Sequence, residues 1–240
     1  ILKRYENYPL PKAQIINLNI NKIKHKFIAN ETITLVEKFL KKGDQVLFFI
    51  NRRGFAPYLI CKKCGNKQTC SNCSLYLTFH KLRNKAICHH CGFEKKIEEK
   101  CKIEGNCEMI MYGPGVEKIH EEINELFPNK KTDIFSSDYL KSKKGVKNLF
   151  EKINNNKIDI LVGTQMISKG FNFPKLNCIV VVDADFTGKG YDLRTTEKNI
   201  QLYHQLSGRA GRFSSDSLII YQTTSPEDET LHELIKNNSD

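Results

Sequence analysis

Eight of the nine cysteines fall between positions 61 and 107, six of them as C-x-x-C pairs: Cys61 with Cys64, Cys70 with Cys73, and Cys88 with Cys91, followed by Cys101 and Cys107. A C-x-x-C pair holds two sulfurs on one tight turn, at the separation a tetrahedral metal ion needs. Three such pairs in one short stretch point to metal knuckles rather than to disulfides. Eight thiolates then make two structural Zn²⁺ sites of four ligands each. Loop length decides the pairing, because fourteen residues separate Cys73 from Cys88, close to ribbon spacing, and only five separate Cys64 from Cys70. The expected arrangement is nested, with an inner site of Cys70, Cys73, Cys88 and Cys91 and an outer site of Cys61, Cys64, Cys101 and a fourth ligand. Knuckle spacing after Cys101 lands on Glu104, whereas the next thiol is Cys107; the thiolate preference of zinc favours Cys107 over Glu104. With so many cysteines available, His80, His89 and His90 read as surface residues. Cys178, inside an apolar run, reads as a buried core thiol.

The rest of the chain must supply the core that carries this insert, and 240 residues with 40% apolar content suffice for one sizeable core and a small appendage. Periodicity predicts a strand at 14–20, a helix at 30–42 with Ile33, Val36, Phe39 and Leu40 on one face, and a buried strand at 46–50. Beyond the cysteines it predicts strands at 108–112, 132–136, 158–162, 178–182 and 217–222, with helices at 116–127, 144–154 and 195–207. Strands that alternate with helices, several of them continuous apolar runs, indicate an α/β fold with a parallel sheet covered on both faces. The expected domains are 1–60 with 108–240 for this sheet and 61–107 for the zinc insert. Chemistry in such sheets lies at the carboxyl ends of the strands, so the loops after Ile50, Val162 and Val182 are the places to look. No stretch approaches the run of about 18 apolar residues that a membrane span needs, and the N-terminus has no signal-peptide core; a soluble, cytoplasmic protein without a membrane partner is expected. The chain lacks an initiating Met and stops in Asn237-Asn238-Ser239-Asp240 with no closing element, from which we expect it to be part of a longer polypeptide.

The formal charge of +11 suggests a polyanionic partner, although two Cys₄ zinc sites would lower it to about +7. The arginines say more than the total. There are 31 Lys and only 7 Arg, so each arginine marks a place where the rigid, bidentate guanidinium is wanted. Five of the seven, Arg52, Arg53, Arg194, Arg209 and Arg212, fall in or beside three short motifs. The strand at 46–50 runs into Asn51-Arg52-Arg53-Gly54-Phe55-Ala56-Pro57, and the strand at 158–162 into Gly163-Thr164-Gln165-Met166-Ile167-Ser168-Lys169-Gly170-Phe171-Asn172-Phe173-Pro174. The helix at 195–207, entered just after Arg194, ends in Gln205-Leu206-Ser207-Gly208-Arg209-Ala210-Gly211-Arg212. Two arginines three residues apart, flanked by glycines, suit anion recognition.

At these residues the chain resembles the second motor lobe of superfamily 2 helicases, and within them the PriA-like replication-restart helicases (primosomal protein N′). Val46 to Pro57 is similar to motif IV, Gly163 to Pro174 to motif V and Gln205 to Arg212 to motif VI, and a two-zinc insert directly after motif IV is peculiar to the PriA-like group. The resemblance covers nearly the whole chain and implies a RecA-like lobe. It implies that Arg209 and Arg212 reach the triphosphate of ATP held on a first lobe, as arginine fingers oriented by Gln205 and Gly208. Gly170 would make a turn near the nucleotide ribose; Asn172 stands where the family often has Asp or His. Thr164 and Gln165, with Arg52 and Arg53, would contact DNA. The family's final C-x-x-C is here replaced by Cys101, Glu104 and Cys107. The implied activity is ATP-dependent unwinding of DNA with 3′ to 5′ polarity in restart of stalled forks and primosome assembly. The implied partners are single-stranded and forked DNA, primosome proteins and single-stranded-DNA-binding protein.

The chain contains no G-x-x-x-x-G-K-[ST] loop. ATP and Mg²⁺ are therefore expected on a first lobe, and this chain alone should be inactive. Asp183 and Asp185, which follow a core strand, read as hydrogen-bonding structure rather than a metal pair. Two other readings compete with the motor lobe: a zinc-dependent module that docks proteins and DNA, and a degenerate motor fragment without ATPase activity.

Overall fold

The computed structural model describes residues 8–20, 27–51, 58–61, 68–73, 77–80, 85–88, 90–97, 108–112, 115–136, 140, 142–168, 173–185 and 194–236. The chain divides into two compact units, Ile1–Asn51 with Glu122–Asp240, and Arg52–Glu121.

The first unit is built on β1 (Lys12–Asn17), β2 (Gln45–Phe49), β8 (Thr132–Phe135), β9 (Ile160–Gly163), β10 (Leu176–Val181) and β11 (Leu218–Thr223). They form a six-stranded sheet of order β1-β11-β10-β2-β9-β8, parallel throughout. β2, β9 and β10 are buried at every position, which is why they read as unbroken apolar runs. α1 (Asn30–Lys41), α3 (Lys143–Asn154), α4 (Arg194–Ser207) and α5 (Glu229–Lys236) cover the sheet, and the boundary between the units falls inside α2 (Val116–Leu126). Alternate residues of the central strands serve opposite faces. Leu47, Phe49, Ile179, Val181, Ile219 and Tyr221 join Leu202, Tyr203 and Leu206 of α4 and Leu231 and Leu234 of α5 in the main core, while α1 packs against β2 and β10.

Local chemistry sets the helix ends. α1 stops at Gly43, whose φ of 79° a glycine adopts without strain, with the amides of Lys42 and Asp44 bonded to Phe39 O and that of Gly43 to Leu40 O. Its entry is fixed by the buried Glu122 carboxylate, which accepts from the amides of Phe27 and Ile28. The Ser142 side chain caps α3 by accepting from Gly145 N at 3.0 Å. The apolar face predicted for α1 is corrected at one position. Thr32 is buried in place of Ile33, because its hydroxyl donates to the buried Gln222 Oε1 at 2.7 Å.

In the second unit, β3 (Tyr58–Cys61) and β7 (Met109–Tyr112) form an antiparallel ribbon with Cys61 opposite Met109. The strand predicted at 108–112 therefore exists but does not belong to the parallel sheet. β4 (Thr78–His80), β5 (Lys85–Ile87) and β6 (Glu94–Lys96) form a second antiparallel sheet. Among the described residues its core is Cys70, Leu77, Phe79, Ala86 and Cys88, with Phe93, Ile97 and Met109 packed around them. No helix among the described residues is long and apolar enough to cross a membrane.

Candidate functional site

Cys70, Cys73, Cys88 and Cys91 come together in the second unit, their four sulfurs all within 4.8 Å of one another. The Sγ–Sγ separations are 3.5 Å for Cys70–Cys91, 3.4 Å for Cys73–Cys88 and 3.7 Å for Cys73–Cys91. Four thiolates at the Zn–S bond length sit about 3.8 Å apart on a tetrahedron, so the donor set and spacing fit a metal ion such as zinc. The second knuckle closes on itself, with Cys88 N bonded to Phe93 O, Gly92 N to Cys88 O, and Gly92 at φ 76°. Burial opposes ionisation of Cys70, but the amides of Asn72 and Cys73 and the thiols of Cys91 and Cys73 outweigh it and bring its pKa down to about 7. At Cys91 the Phe93 amide favours the thiolate, yet burial and the Cys70 and Cys88 thiols prevail and raise its pKa. Within the group the Cys70 thiol is thus the one held toward its ionised form. Cys61 is buried in the ribbon; Cys64, Cys101, Glu104 and Cys107 lie outside the described residues, as does His89, and His90 is exposed. Cys178 is fully buried, and desolvation followed by the charge of Asp44 pushes its thiol up, as suits an inert core residue.

In the first unit the polar groups of motifs IV and V meet at the carboxyl edge of the sheet. The amide of Ile50 continues the ladder to Gly163 O, which sets Asn51 beside the 3₁₀ turn Gln165–Ser168. Gln165 is exposed and donates from Nε2 to Asn51 Oδ1 at 2.8 Å; Asn51 Nδ2 donates in turn to Asn199 Oδ1 of α4 at 2.7 Å. Thr164 is buried, with its amide bonded to Phe135 O at 3.2 Å, so of this pair Gln165 is the side chain that faces solvent. Arg52, Arg53, Gly170 and Asn172 lie outside the described residues. Asn199 did not stand out in the sequence, since only the fold brings it to Asn51.

The arginine motif occupies the opposite edge. α4 runs back across the sheet, and the turn after it places Gly211 N against Leu176 O, the first residue of β10, at 3.1 Å. The chain must return to the amino edge to begin β11, and the arginine motif lies on that return, away from the loops after Ile50, Val162 and Val182. Arg212 Nε donates to Gly208 O at 3.0 Å, which orients the guanidinium. Burial, and then the neighbouring Arg212 charge, lower the pKa of Arg209. Gln205 is exposed. Gly211 is required by its backbone, at φ 64°, and by space, since a Cβ there would collide with the Ser217 side chain and stand 2.7 Å from Ser217 Cβ. Gly211→Ala is expected to cost about 2 kcal/mol, seen as a melting temperature several degrees lower; an unchanged melt would contradict this packing.

Asp185 ties the end of β10 to β11, accepting from Thr223 Oγ1, from Thr224 N at 3.0 Å and from Thr224 Oγ1 at 2.5 Å, while its own amide bonds Asp183 Oδ1. The one group with metal-ligand spacing among the described residues is the cysteine cluster.

The helicase conserved C-terminal domain matches residues 83–214, more than half of the chain. The chain belongs to that family. This helicase domain is 39% identical over 239 residues to the replication restart protein PriA of Rickettsia conorii, covering 98% of the chain and 37% of that protein. With the PriA of Haemophilus influenzae it shares 34% identity over 235 residues, covering 98% and 32%. The relation to PriA expected from motifs IV to VI and the cysteines thus extends along nearly the whole domain, which spans about a third of the length of the curated relatives it matches. RecG in its structure with a three-way DNA junction aligns with 97% of the domain and 21% of its own chain at a TM-score of 0.51 and 12% identity. That likeness is one of fold, and the domain is a RecA-like lobe.

Proposed function

We propose that the chain is the C-terminal motor lobe of an ATP-dependent 3′ to 5′ DNA helicase that acts in restart of stalled replication forks and in primosome assembly. The observation that carries this reading is the arginine loop, where Arg212 is braced on Gly208 O at 3.0 Å and lowers the pKa of the neighbouring Arg209, in a domain whose relatives are replication restart proteins. ATP and Mg²⁺ held on a first lobe would supply the phosphoryl transfer. Arg209 and Arg212 would meet the charge that develops on the phosphates, Gly208 O would hold Arg212 in plane, and Gly170 would turn beside the ribose. Gln205 would orient the pair from the last turn of α4. At the other edge Gln165, with Arg52 and Arg53, would contact single-stranded DNA, and Thr164, buried behind Gln165, would hold the turn that presents it. The domain boundaries would be 1–60 with 108–240 for the lobe and 61–107 for the insert. Two Zn²⁺ ions would be structural, one on Cys70, Cys73, Cys88 and Cys91 and one on Cys61, Cys64, Cys101 and Cys107. Forked DNA, primosome proteins and single-stranded-DNA-binding protein would be the partners of the whole protein in the cytoplasm.

On this reading the lobe alone offers part of a phosphate track. It should bind single-stranded DNA weakly, with little sequence preference, and lose roughly tenfold in affinity between 50 and 200 mM salt through release of two or three counterions. Fluorescence anisotropy with labelled oligonucleotides measures this. Equal affinity at both salt concentrations would contradict the phosphate contacts.

A further inference from the structure

Asn199 is a polar residue in an apolar place. α4 turns Asn199, Leu202, Tyr203 and Leu206 to one side, all four are buried, and the last three belong to the main core. A leucine at 199 would extend that stripe, whereas a buried amide is tolerated only when its hydrogen bonds are made. The bond is made to Asn51, which has just left β2, and Asn51 is bonded in turn to Gln165, which has just left β9. The chain of amides has one direction, N–H to O at each link, so turning any one of them would set like against like. Three separate segments are thereby locked at the carboxyl edge. α4 continues from Asn199 to Ser207, about 12 Å along its axis, and delivers the chain to the arginine loop at the other edge.

We propose that Asn199 is a positioning residue: through Asn51 it fixes the side chain of Gln165 for single-stranded DNA, and it pins that contact to the helix that leads into Arg209 and Arg212. The proposal rests on the motor-lobe reading for the role of Gln165.

The test is Asn199→Leu in the 240-residue chain, followed by side-chain amide NMR and by binding of a thymidine oligonucleotide. The Gln165 and Asn51 side-chain signals should move while backbone amides of β10 and β11 stay. Affinity should fall on the order of fivefold, the worth of one hydrogen bond, with no further fall in a Gln165→Ala background. Asn199→Asp keeps the acceptor and should stay within about twofold of the native affinity. If the leucine variant does not fold, Asn199→Ala removes the acceptor without added bulk and is read in the same way. Unmoved Gln165 signals, or equal losses in both backgrounds, overturn the proposal. A native chain that binds no oligonucleotide sinks the motor-lobe reading instead, and the Gln165 signals alone then decide the positioning: displaced ones sustain it and unmoved ones overturn it.

Discussion

Arg212→Lys, in the protein that carries both motor lobes, should lower DNA-stimulated ATP hydrolysis by a factor on the order of 10² or more while leaving ATP and DNA affinity nearly intact. Lysine keeps the positive charge but loses the planar fork. It also loses the Nε–H that Arg212 donates to Gly208 O, so its ammonium is no longer held in a set direction. A contact that tightens only as charge develops in the transition state costs rate when it is removed, not ground-state binding, and kcat and kcat/KM should fall together. Arg209→Lys should act in the same sense. If Arg212 serves only to brace its turn, the substitution should instead lower the melting temperature and leave turnover per folded molecule unchanged. Turnover and melting temperature measured on the same protein separate the two roles.

Much of the sheet was legible because its central strands are buried on both faces and carry unbroken apolar runs, as at Val46–Phe49 and Ile179–Val181. Elements whose order depends on distant partners were harder to read. The run at 108–112 has the composition of a core strand, but its partner is Tyr58–Cys61, a four-residue strand too short to show a period. The three-residue strands β4, β5 and β6 are too short to show a period, and α5, at eight residues, lies among the polar residues of the chain's end. The inner cysteine group could be paired from spacing alone, because loop length limits which thiols can meet. Asn199 could not be found that way, since its partner lies 148 residues away. The buried setting of Thr164 was equally hidden, because a threonine after a buried strand looks the same whether it faces solvent or the neighbouring strand.

Removing zinc should abolish the ordered structure around the inner cysteines and leave the six-stranded sheet folded. The sheet β4-β5-β6 has three residues per strand and, among the described residues, a core of five buried side chains, two of them cysteines, far less than an independent β-structure needs. A structural zinc site contributes about 10–16 kcal/mol at neutral pH, and binding energy of that size is folding energy here. The parallel sheet has its own large core and no share in these ligands. A chelator titration followed by far-ultraviolet circular dichroism, with released zinc counted by an indicator dye, should find two equivalents lost and most helical signal retained. Collapse of all helical signal as the metal leaves would show that the insert is not separable.

The central claim, that this is the motor lobe of a DNA-driven ATPase, is tested most directly by ATP turnover with and without single-stranded DNA, for the chain alone and for the chain joined to a lobe carrying a phosphate-binding loop. The chain alone should show no turnover, and the joined protein should show turnover that rises with DNA and is lost in Arg212→Lys. Turnover in the joined protein that is indifferent to DNA and to Arg212 would contradict that claim.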